Sequence, residues 1–350
     1  MVVLGVPHHI TQRGNRRLQT FFCDKDMRHI VAQQDHYVSQ TYLERFANER
    51  GQLVPYYKSG HVTVGKPKSP KSICHETDGD ANTYFDDPRV LDSYLAPLEK
   101  NWSTNVQALC DMRVNADIKY QLSAYVAYLR VCNPVAKRMG QDMLAETIQP
   151  LADKVMNENI YDPRFGPELQ VKIEQELQLG NIRCAVDREY AHARGISSLI
   201  GVANRLYCSG WLKLFNETDI PFITSDNPAV PYYHRTTDTV ASVFVPVSPT
   251  NAVLISPDYS IKRPTNEDVQ SYESSLDRYA SIKKEYVRLF NQLVVKSAER
   301  IVLHATVERW LEDLVMKYRS WRMENITSKI PYENGVLLIH RQKSIDTSNA

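Results

Sequence analysis

A run of polar side chains ends what the sequence predicts to be a short strand over residues 222–224. Thr224, Ser225, Asp226 and Asn227 follow one another there, and loops at strand ends often carry function. We treat Asp226 as a candidate catalytic residue and Thr224, Ser225 and Asn227 as candidate ligand-binding residues. The alternative is a structural Asx turn, in which Asp226 or Asn227 caps its own backbone.

Two further side chains, those of His36 and Glu99, have the chemistry for acid–base work. With Asp226 they form a set of one imidazole and two carboxylates, which can bind a divalent metal or share proton transfers. Tyr37 adjoins His36 and is a further candidate ligand-binding residue. The plainer alternatives are a local hydrogen bond at a helix start for His36 and an exposed helix position for Glu99.

We expect the segment 36–46 and the turn 224–228 to lie close together and to frame the main polar pocket. A helix start needs only Ser, Thr, Asp or Asn, so polar groups beyond that need indicate a contact with each other or with a ligand. In this arrangement Asp226 is the charge partner of His36 and raises the pKa of its imidazole. The alternative is two separate caps on opposite sides of the molecule.

Motifs of common nucleotide and metal enzymes are incomplete or absent. Residues 60–66 have the spacing of a phosphate-binding loop, but Pro67 stands where a Ser or Thr must follow, so we predict a hairpin with a basic exit. Residues 75–82 begin like a calcium loop, yet Thr83 and Arg89 replace its required Gly and Glu, which favours a solvated loop. The sequence has no H-E-x-x-H, His-x-His or G-x-S-x-G motif, and it names no cofactor and no metal.

The composition is that of a globular chain without a membrane segment. Of the 350 residues 43% are hydrophobic and 24% are charged, and a formal net charge of +1 gives no support for nucleic acid as a partner. No apolar stretch reaches the roughly eighteen residues that a membrane-spanning helix needs, and the first residues lack the order of a signal peptide. The six cysteines form no C-x-x-C pair, which favours a reduced, cytoplasmic protein.

Hydrophobic periodicity predicts an α+β fold, mainly helical with a smaller mixed or antiparallel sheet. The sheet is expected to combine strands from residues 210–256 with a C-terminal strand. The expected elements are a helix over 36–47, a hairpin over 53–64, helices around 91–102, 118–129, 135–158, 168–179 and 182–207, strands around 212–215, 222–224, 243–245 and 253–255, a long helix from Asn266, a helix near 306–318 and a strand over 335–340.

The beginning of the chain resembles a different class of protein from the rest. The residues that carry this resemblance are Gly5-Val6-Pro7-His8-His9-Ile10-Thr11-Gln12-Arg13-Gly14-Asn15-Arg16-Arg17 and Phe21-Phe22. They are similar to the first strands of the repeat-associated tyrosine transposases of bacteria, over about residues 1–28. Those enzymes use a nucleophilic tyrosine and a metal held by a His-hydrophobic-His pair, and that pair has no counterpart here. The resemblance therefore implies an inactive remnant over residues 1–33.

A second resemblance covers most of the remaining chain. It rests on the motif His36-Tyr37-Val38-Ser39-Gln40-Thr41-Tyr42-Leu43-Glu44-Arg45-Phe46, followed by Gly51, Leu53, Tyr84, Leu98-Glu99 and residues 222–228. The motif resembles HYVPxxYLxxF, the signature of the bacterial domain of unknown function 4238, with Ser39 in place of the usual proline. This resemblance implies one domain over residues 34–341 and brings no known activity. We expect residues 342–350 to be a disordered tail.

Two functions from different classes stay open. The first is an enzyme or effector that acts on nucleic acid or a nucleotide through His36, Glu99 and Asp226. The second is a non-catalytic binding or regulatory module, for which the twenty tyrosines would line a recognition groove; they suit an amphipathic core equally well. Side chains of His36, Glu99 and Asp226 within a few ångströms of one another favour the enzyme, and their dispersal favours the binding module.

Overall fold

The computed structural model describes residues 33–60, 63–159, 166–234, 240–258, 269, 272, 277–332 and 335–348. The transposase-like segment 1–33 falls outside these residues except for its last position, and so does most of the start of the helix predicted from Asn266. The described residues form the α+β fold that the sequence predicts, with a helical middle and several small sheets.

The helices of the described residues lie mainly between residues 90 and 207. None of them combines the length and apolarity that crossing a lipid bilayer requires. In chain order the helices are α1 (Gln40–Glu44), α2 (Val90–Cys110), α3 (Ala116–Val131), α4 (Pro134–Asn159), α5 (Pro167–Gln178), α6 (Arg188–Tyr207), α7 (Lys284–Ser297) and α8 (Arg309–Lys317).

The strands of the described residues form four sheets. β1 pairs with β3, β11 pairs with β12, a three-stranded sheet has the order β2-β10-β5, and a five-stranded mixed sheet has the order β6-β7-β8-β4-β9. In chain order the strands are β1 (Gln34–His36), β2 (Val54–Tyr57), β3 (His75–Thr77), β4 (Gly210–Phe215), β5 (Thr224–Ser225), β6 (Val230–Tyr232), β7 (Ser242–Ser248), β8 (Asn251–Ser256), β9 (Arg278–Ser281), β10 (Ile301–His304), β11 (Trp321–Tyr332) and β12 (Gly335–Asp346).

Alternation along the five-stranded sheet places apolar side chains on both of its faces. On β7, Val243 and Val245 belong to a core formed with α2, α3 and α6, whereas Phe244 belongs to a second core formed with α7, α8 and the three-stranded sheet. The predicted apolar positions of α2 are buried, as their helical spacing requires: Leu91, Leu95, Leu98 and Trp102.

Most of the buried tyrosines fill these cores and do not line a groove. Tyr42 and Tyr125 pack against Trp102, with ring centroids 5.6 and 4.4 Å from it. Of the two uses that the sequence allowed for its tyrosines, the structure favours the amphipathic core. The buried tyrosines among the described residues are Tyr37, Tyr42, Tyr56, Tyr125, Tyr128, Tyr207 and Tyr318.

The helix predicted over residues 36–47 is shorter than expected. His36 ends strand β1, and α1 begins only after Ser39, whose hydroxyl accepts a hydrogen bond from the backbone N–H of Tyr42 at 3.3 Å. A serine at the N-cap satisfies a donor that the first helical turn leaves free. Ser39 therefore starts the helix, and the prediction that His36 does so is wrong.

The structure differs from three expectations about the strands and the C-terminal tail. Thr224 and Ser225 pair with β10 in the three-stranded sheet, and the C-terminal strand pairs with β11, so these segments do not join the sheet of β4, β7 and β8. Residues 278–281, expected to be helical, form β9 because their backbone pairs in parallel with β4. The expected disorder from residue 342 is also wrong up to Asp346, because β12 continues to that residue opposite Trp321.

Candidate functional site

Residues 224–227 form a buried hydrogen-bond network. Their exposed fractions are 0%, 0%, 3% and 6% in chain order. The Asn227 side chain accepts from Asn133 at 2.9 Å and donates to the backbone carbonyl of Ser297 at 2.9 Å, and the Ser225 hydroxyl accepts from the Asn227 backbone at 3.1 Å. These contacts join the end of α3, the end of α7 and β5, so the polar residues of this run have partners inside the protein.

Asp226 serves the backbone of the segment that enters β10. Its two carboxylate oxygens accept hydrogen bonds from the N–H groups of Glu299, Arg300 and Ile301 at 2.9, 2.7 and 3.1 Å. Burial raises the pKa of Asp226 to about 6 against the opposing effect of these three donors, so the carboxylate is mainly ionised at pH 7. Charge-assisted bonds to three consecutive amides fix the path of the chain from α7 into β10.

His36 and Asp226 do not pair. The His36 ring nitrogens contact the carbonyl of Lys71 at 3.1 Å and the Gln40 side chain at 3.5 Å. Burial lowers the pKa of His36, and His75 adds to this effect, so the rise that we predicted from Asp226 is wrong in direction. The two groups are held by different partners: Lys71 and Gln40 contact His36, whereas the backbone amides of residues 299–301 bind Asp226.

The two motif segments nevertheless meet, as predicted, although they meet inside the core and do not frame a pocket. The hydroxyl of Tyr42 lies 3.0 Å from the Thr224 hydroxyl and donates to the carbonyl of Pro246 at 2.6 Å. Tyr42 is fully buried. Tyr42, the second tyrosine of the HYVPxxYLxxF pattern, thus links α1 to β5 and β7.

Replacing Tyr42 by phenylalanine is expected to lower the free energy of unfolding by about 1–3 kcal/mol, because it removes the buried hydrogen bonds of this hydroxyl to Pro246 and Thr224. Urea denaturation followed by circular dichroism measures the change. The matched control is Tyr286→Phe, since the Tyr286 ring is 47% exposed and should tolerate loss of its hydroxyl. An equal effect of both substitutions would contradict this role for the Tyr42 hydroxyl.

His36 and Glu99 do lie at one site. Both line a cavity of about 490 Å³ between the β1–β3 ribbon and α2. Its wall is rich in carboxylates, and among the described residues that line it there is no lysine or arginine. The acidic side chains of the wall are Asp35, Glu44, Asp80, Asp92 and Glu99.

The tautomer of His36 follows from its contacts. Nε2 lies 3.1 Å from the Lys71 carbonyl, which can only accept, so Nε2 carries the proton. The lone pair is then on Nδ1, on the side of Gln40, which also lines the cavity. Because burial lowers the pKa of His36, the ring is neutral at pH 7 and can accept a proton.

Asp80 provides a carboxyl group that titrates near neutrality. Burial raises the pKa of Asp80 to about 7, and Lys137 opposes this rise. The Tyr128 hydroxyl lies 3.1 and 3.2 Å from the two Asp80 oxygens and 3.1 Å from the backbone carbonyl of His36. A protonated Asp80 can donate to the Tyr128 oxygen while Tyr128 donates its single proton to the His36 carbonyl, so the proton of the neutral carboxyl has an acceptor.

Asp35 and Arg89 hold the wall of the cavity together. Arg89 donates to both oxygens of Asp35 at 2.8 and 2.6 Å and to Asp92 at 3.0 Å. Asp35 also accepts the backbone N–H of Asp80 at 3.0 Å. A two-pronged pair of this kind has one favoured geometry, so it fixes β1, the loop at residue 80 and the start of α2 relative to one another.

Glu99 belongs to the cavity but Tyr37 does not. Burial raises the pKa of Glu99, and Asp92 adds to the rise, so its carboxyl holds a proton more strongly than a solvated glutamate does. Tyr37 is buried and interacts with the Cys74 thiol, which places it in the core.

Within the described ranges no three His, Cys, Asp or Glu side chains are arranged to hold a metal ion.

Asp80, Asp35 and Tyr128 were not predicted from the sequence as residues of this cavity. Asp80 was assigned to a solvated loop, which is wrong, since Asp80 and Asn82 are 5% and 1% exposed. The loop folds inward because Asp35 takes the Asp80 amide and the Asn82 side chain donates to the Glu189 carbonyl at 2.8 Å. The density of acidic residues around Asp80 was the available signal, but no local pattern indicates that Asp35 and Tyr128 reach it.

The comparison with protein families agrees with the second resemblance. The model of a protein family of unknown function, DUF4238, matches residues 34–308, which include His36, Asp80, Glu99 and Asp226. The chain therefore belongs to the DUF4238 family. No curated protein and no solved structure matches the chain.

Proposed function

We propose that this DUF4238 protein is an enzyme that transfers protons at the cavity of His36, Asp80 and Glu99. The observation that carries the proposal is the placement of three titratable side chains on one cavity wall, each with a pKa moved away from its ordinary value. Groups shifted in this way by burial are typical of catalytic sites. Asp226, which we had placed at the site, has a structural role in this proposal.

The shifts give each group a distinct role at pH 7. His36 is neutral, and its Nδ1 lone pair has only the long contact of 3.5 Å with the Gln40 amide, so it is the proton acceptor. Asp80, with a pKa of about 7, holds a proton about half of the time and is the proton donor, and Tyr128 links it to the His36 backbone. Glu99, on the opposite element α2, orients the substrate or takes the second proton.

The charge of the wall selects the class of substrate. The cavity is lined by five acidic side chains, of which Asp35 and Asp92 are paired with Arg89, and by no described lysine or arginine, so a chain of phosphates finds no positive group on the wall. This disfavours nucleic acid and nucleotides, the substrates suggested at first by the sequence. We propose a small neutral or cationic substrate, which a cavity of about 490 Å³ accommodates.

Glu99→Gln is expected to reduce turnover by about 10²–10⁴-fold, the usual contribution of a positioned acid or base. The protein is incubated with mixtures of amines, nucleosides and sugars, and with a short oligonucleotide, and mass spectrometry detects the compound consumed. The matched control, Glu285→Gln, removes an exposed carboxylate of α7 and should leave turnover unchanged.

Each outcome of this experiment is decisive for one part of the proposal. Consumption of a neutral or cationic compound that Glu99→Gln abolishes supports it. Cleavage of the oligonucleotide contradicts the substrate class. A compound that binds and is returned unchanged contradicts the enzyme and favours the binding or regulatory module.

A further inference from the structure

A second cavity, of about 390 Å³, lies where α6 begins and faces the loop that follows β3. It shares no lining residue with the cavity of His36. Its charged wall combines both signs, unlike that of the first cavity. The titratable side chains on this wall are Glu76, Asp78, Lys137, Arg188, Glu189 and His192.

His192 is the unusual member of this wall. The residue is 4% exposed, and its Nε2 atom has no hydrogen-bond partner among the described residues. Buried polar atoms are nearly always hydrogen-bonded, so an unpaired ring nitrogen beside a cavity indicates a partner that comes from outside the chain. Burial lowers the pKa of His192 to about 3, and Lys137 and Arg188 add to this effect, so the imidazole stays neutral.

The surroundings of His192 are positive. Lys137 and Arg188 are the two charged groups that act on it, and Glu76 lies 3.4 and 3.2 Å from their respective nitrogens. Those separations exceed the 2.7–2.9 Å of strong charge-assisted bonds, so a competing carboxylate can replace Glu76 beside Arg188. The start of α6, a helix of 20 residues, adds its partial positive charge at the same place.

The rest of the wall excludes ligands of a single charge. Asp78 and Glu189 also face the cavity, and with Glu76 they would repel a simple anion. A simple cation would be repelled by Lys137 and Arg188 in the same way. A ligand that carries both charges can place each of them beside wall side chains of the opposite charge.

We propose that this cavity binds a small zwitterion of the amino-acid type. The carboxylate of the ligand contacts Arg188 and supplies the missing partner of His192. Its ammonium group faces Asp78 and Glu189. The site is separate from the acid–base cavity, so it would serve either a second substrate or an effector of the reaction proposed there.

Calorimetric titration of the full chain with each common amino acid tests this inference, with acetate and methylammonium as the two single-charge probes. We expect at least one amino acid to bind saturably and neither single-charge probe to do so. Arg188→Gln should weaken binding about tenfold or more, because a charge-assisted hydrogen bond is lost. The side chain of Arg188 is 58% exposed, so this variant keeps the fold.

The matched control is Arg194→Gln, which removes an exposed arginine of the same helix away from the cavity and should bind as the wild type does. Nitrogen NMR of the histidines gives a second measurement, in which the ring signal of His192 should move on saturation. Failure of every amino acid to bind overturns the inference. Equal binding of acetate, or an Arg188→Gln variant that binds like the wild type, overturns it as well.

Discussion

Asp226→Ala is expected to lower the free energy of unfolding by on the order of 3–5 kcal/mol, a large part of the total stability of a typical protein. The substitution removes the acceptor of three backbone N–H groups, those of Glu299, Arg300 and Ile301, at a side chain that is itself 3% exposed. Each buried donor without a partner costs about 1–3 kcal/mol. Urea denaturation at pH 7 measures the loss.

Two companion variants separate the cause from general effects of losing a carboxylate. Asp226→Asn keeps the shape and one acceptor oxygen, so its cost should be intermediate. Asp219→Ala removes an exposed aspartate that is paired with Lys284 at 2.7 Å, and exposed pairs contribute at most about 1 kcal/mol. A stable Asp226→Ala variant that loses only activity would return Asp226 to the catalytic role first predicted for it.

The contacts of Asp226 are an example of what the sequence could not predict. The strand-end cluster was found correctly, and so was its proximity to the HYVPxxYLxxF segment, since Tyr42 contacts Thr224. The hydrogen bonds of Asp226 could not be predicted, because their donors come from residues 299–301, more than seventy positions along the chain. Sequence periodicity contains no information on such partners, since they depend on the pairing of β5 with β10.

The helices in the middle of the chain could be predicted because their pattern is local. Apolar residues at helix spacing depend only on neighbours three or four positions apart, and Leu91 and Trp102 are buried accordingly. His36 and Glu99, which line one cavity, were proposed together from their residue types. Asp80 was not predicted as a cavity residue, because its burial depends on Asp35 and Tyr128, which lie 45 and 48 positions away.

The stability of the wild type relative to Asp80→Asn is expected to fall as the pH rises from about 4 to 7. The pKa of Asp80 is about 7 in the folded chain and 3.8 in its ordinary state, so the folded chain binds this proton more tightly. Its stabilising effect is complete below pH 3.8 and is lost as the pH rises through 7, at up to about 1.4 kcal/mol per pH unit.

Asparagine is the matched variant because its side chain has the shape of a protonated aspartate and its amide can donate to the Tyr128 oxygen as the protonated carboxyl does. Urea midpoints at pH 5, 6, 7 and 8 give the difference between variant and wild type at each pH. Taking the difference removes the contributions of His36 and His192, whose lowered pKa values affect both proteins alike. A difference that does not change with pH would contradict the raised pKa of Asp80.

This pH dependence bears directly on function. An asparagine at position 80 would fill the same space and keep the hydrogen bond to the Tyr128 oxygen without the cost of ionising a buried carboxyl at neutral pH. If Asp80→Asn is the more stable protein at pH 8 and yet loses turnover, the carboxyl is present for its proton. A catalytic group often lowers the stability of the folded protein, and replacing it by an inert side chain of the same shape then raises that stability.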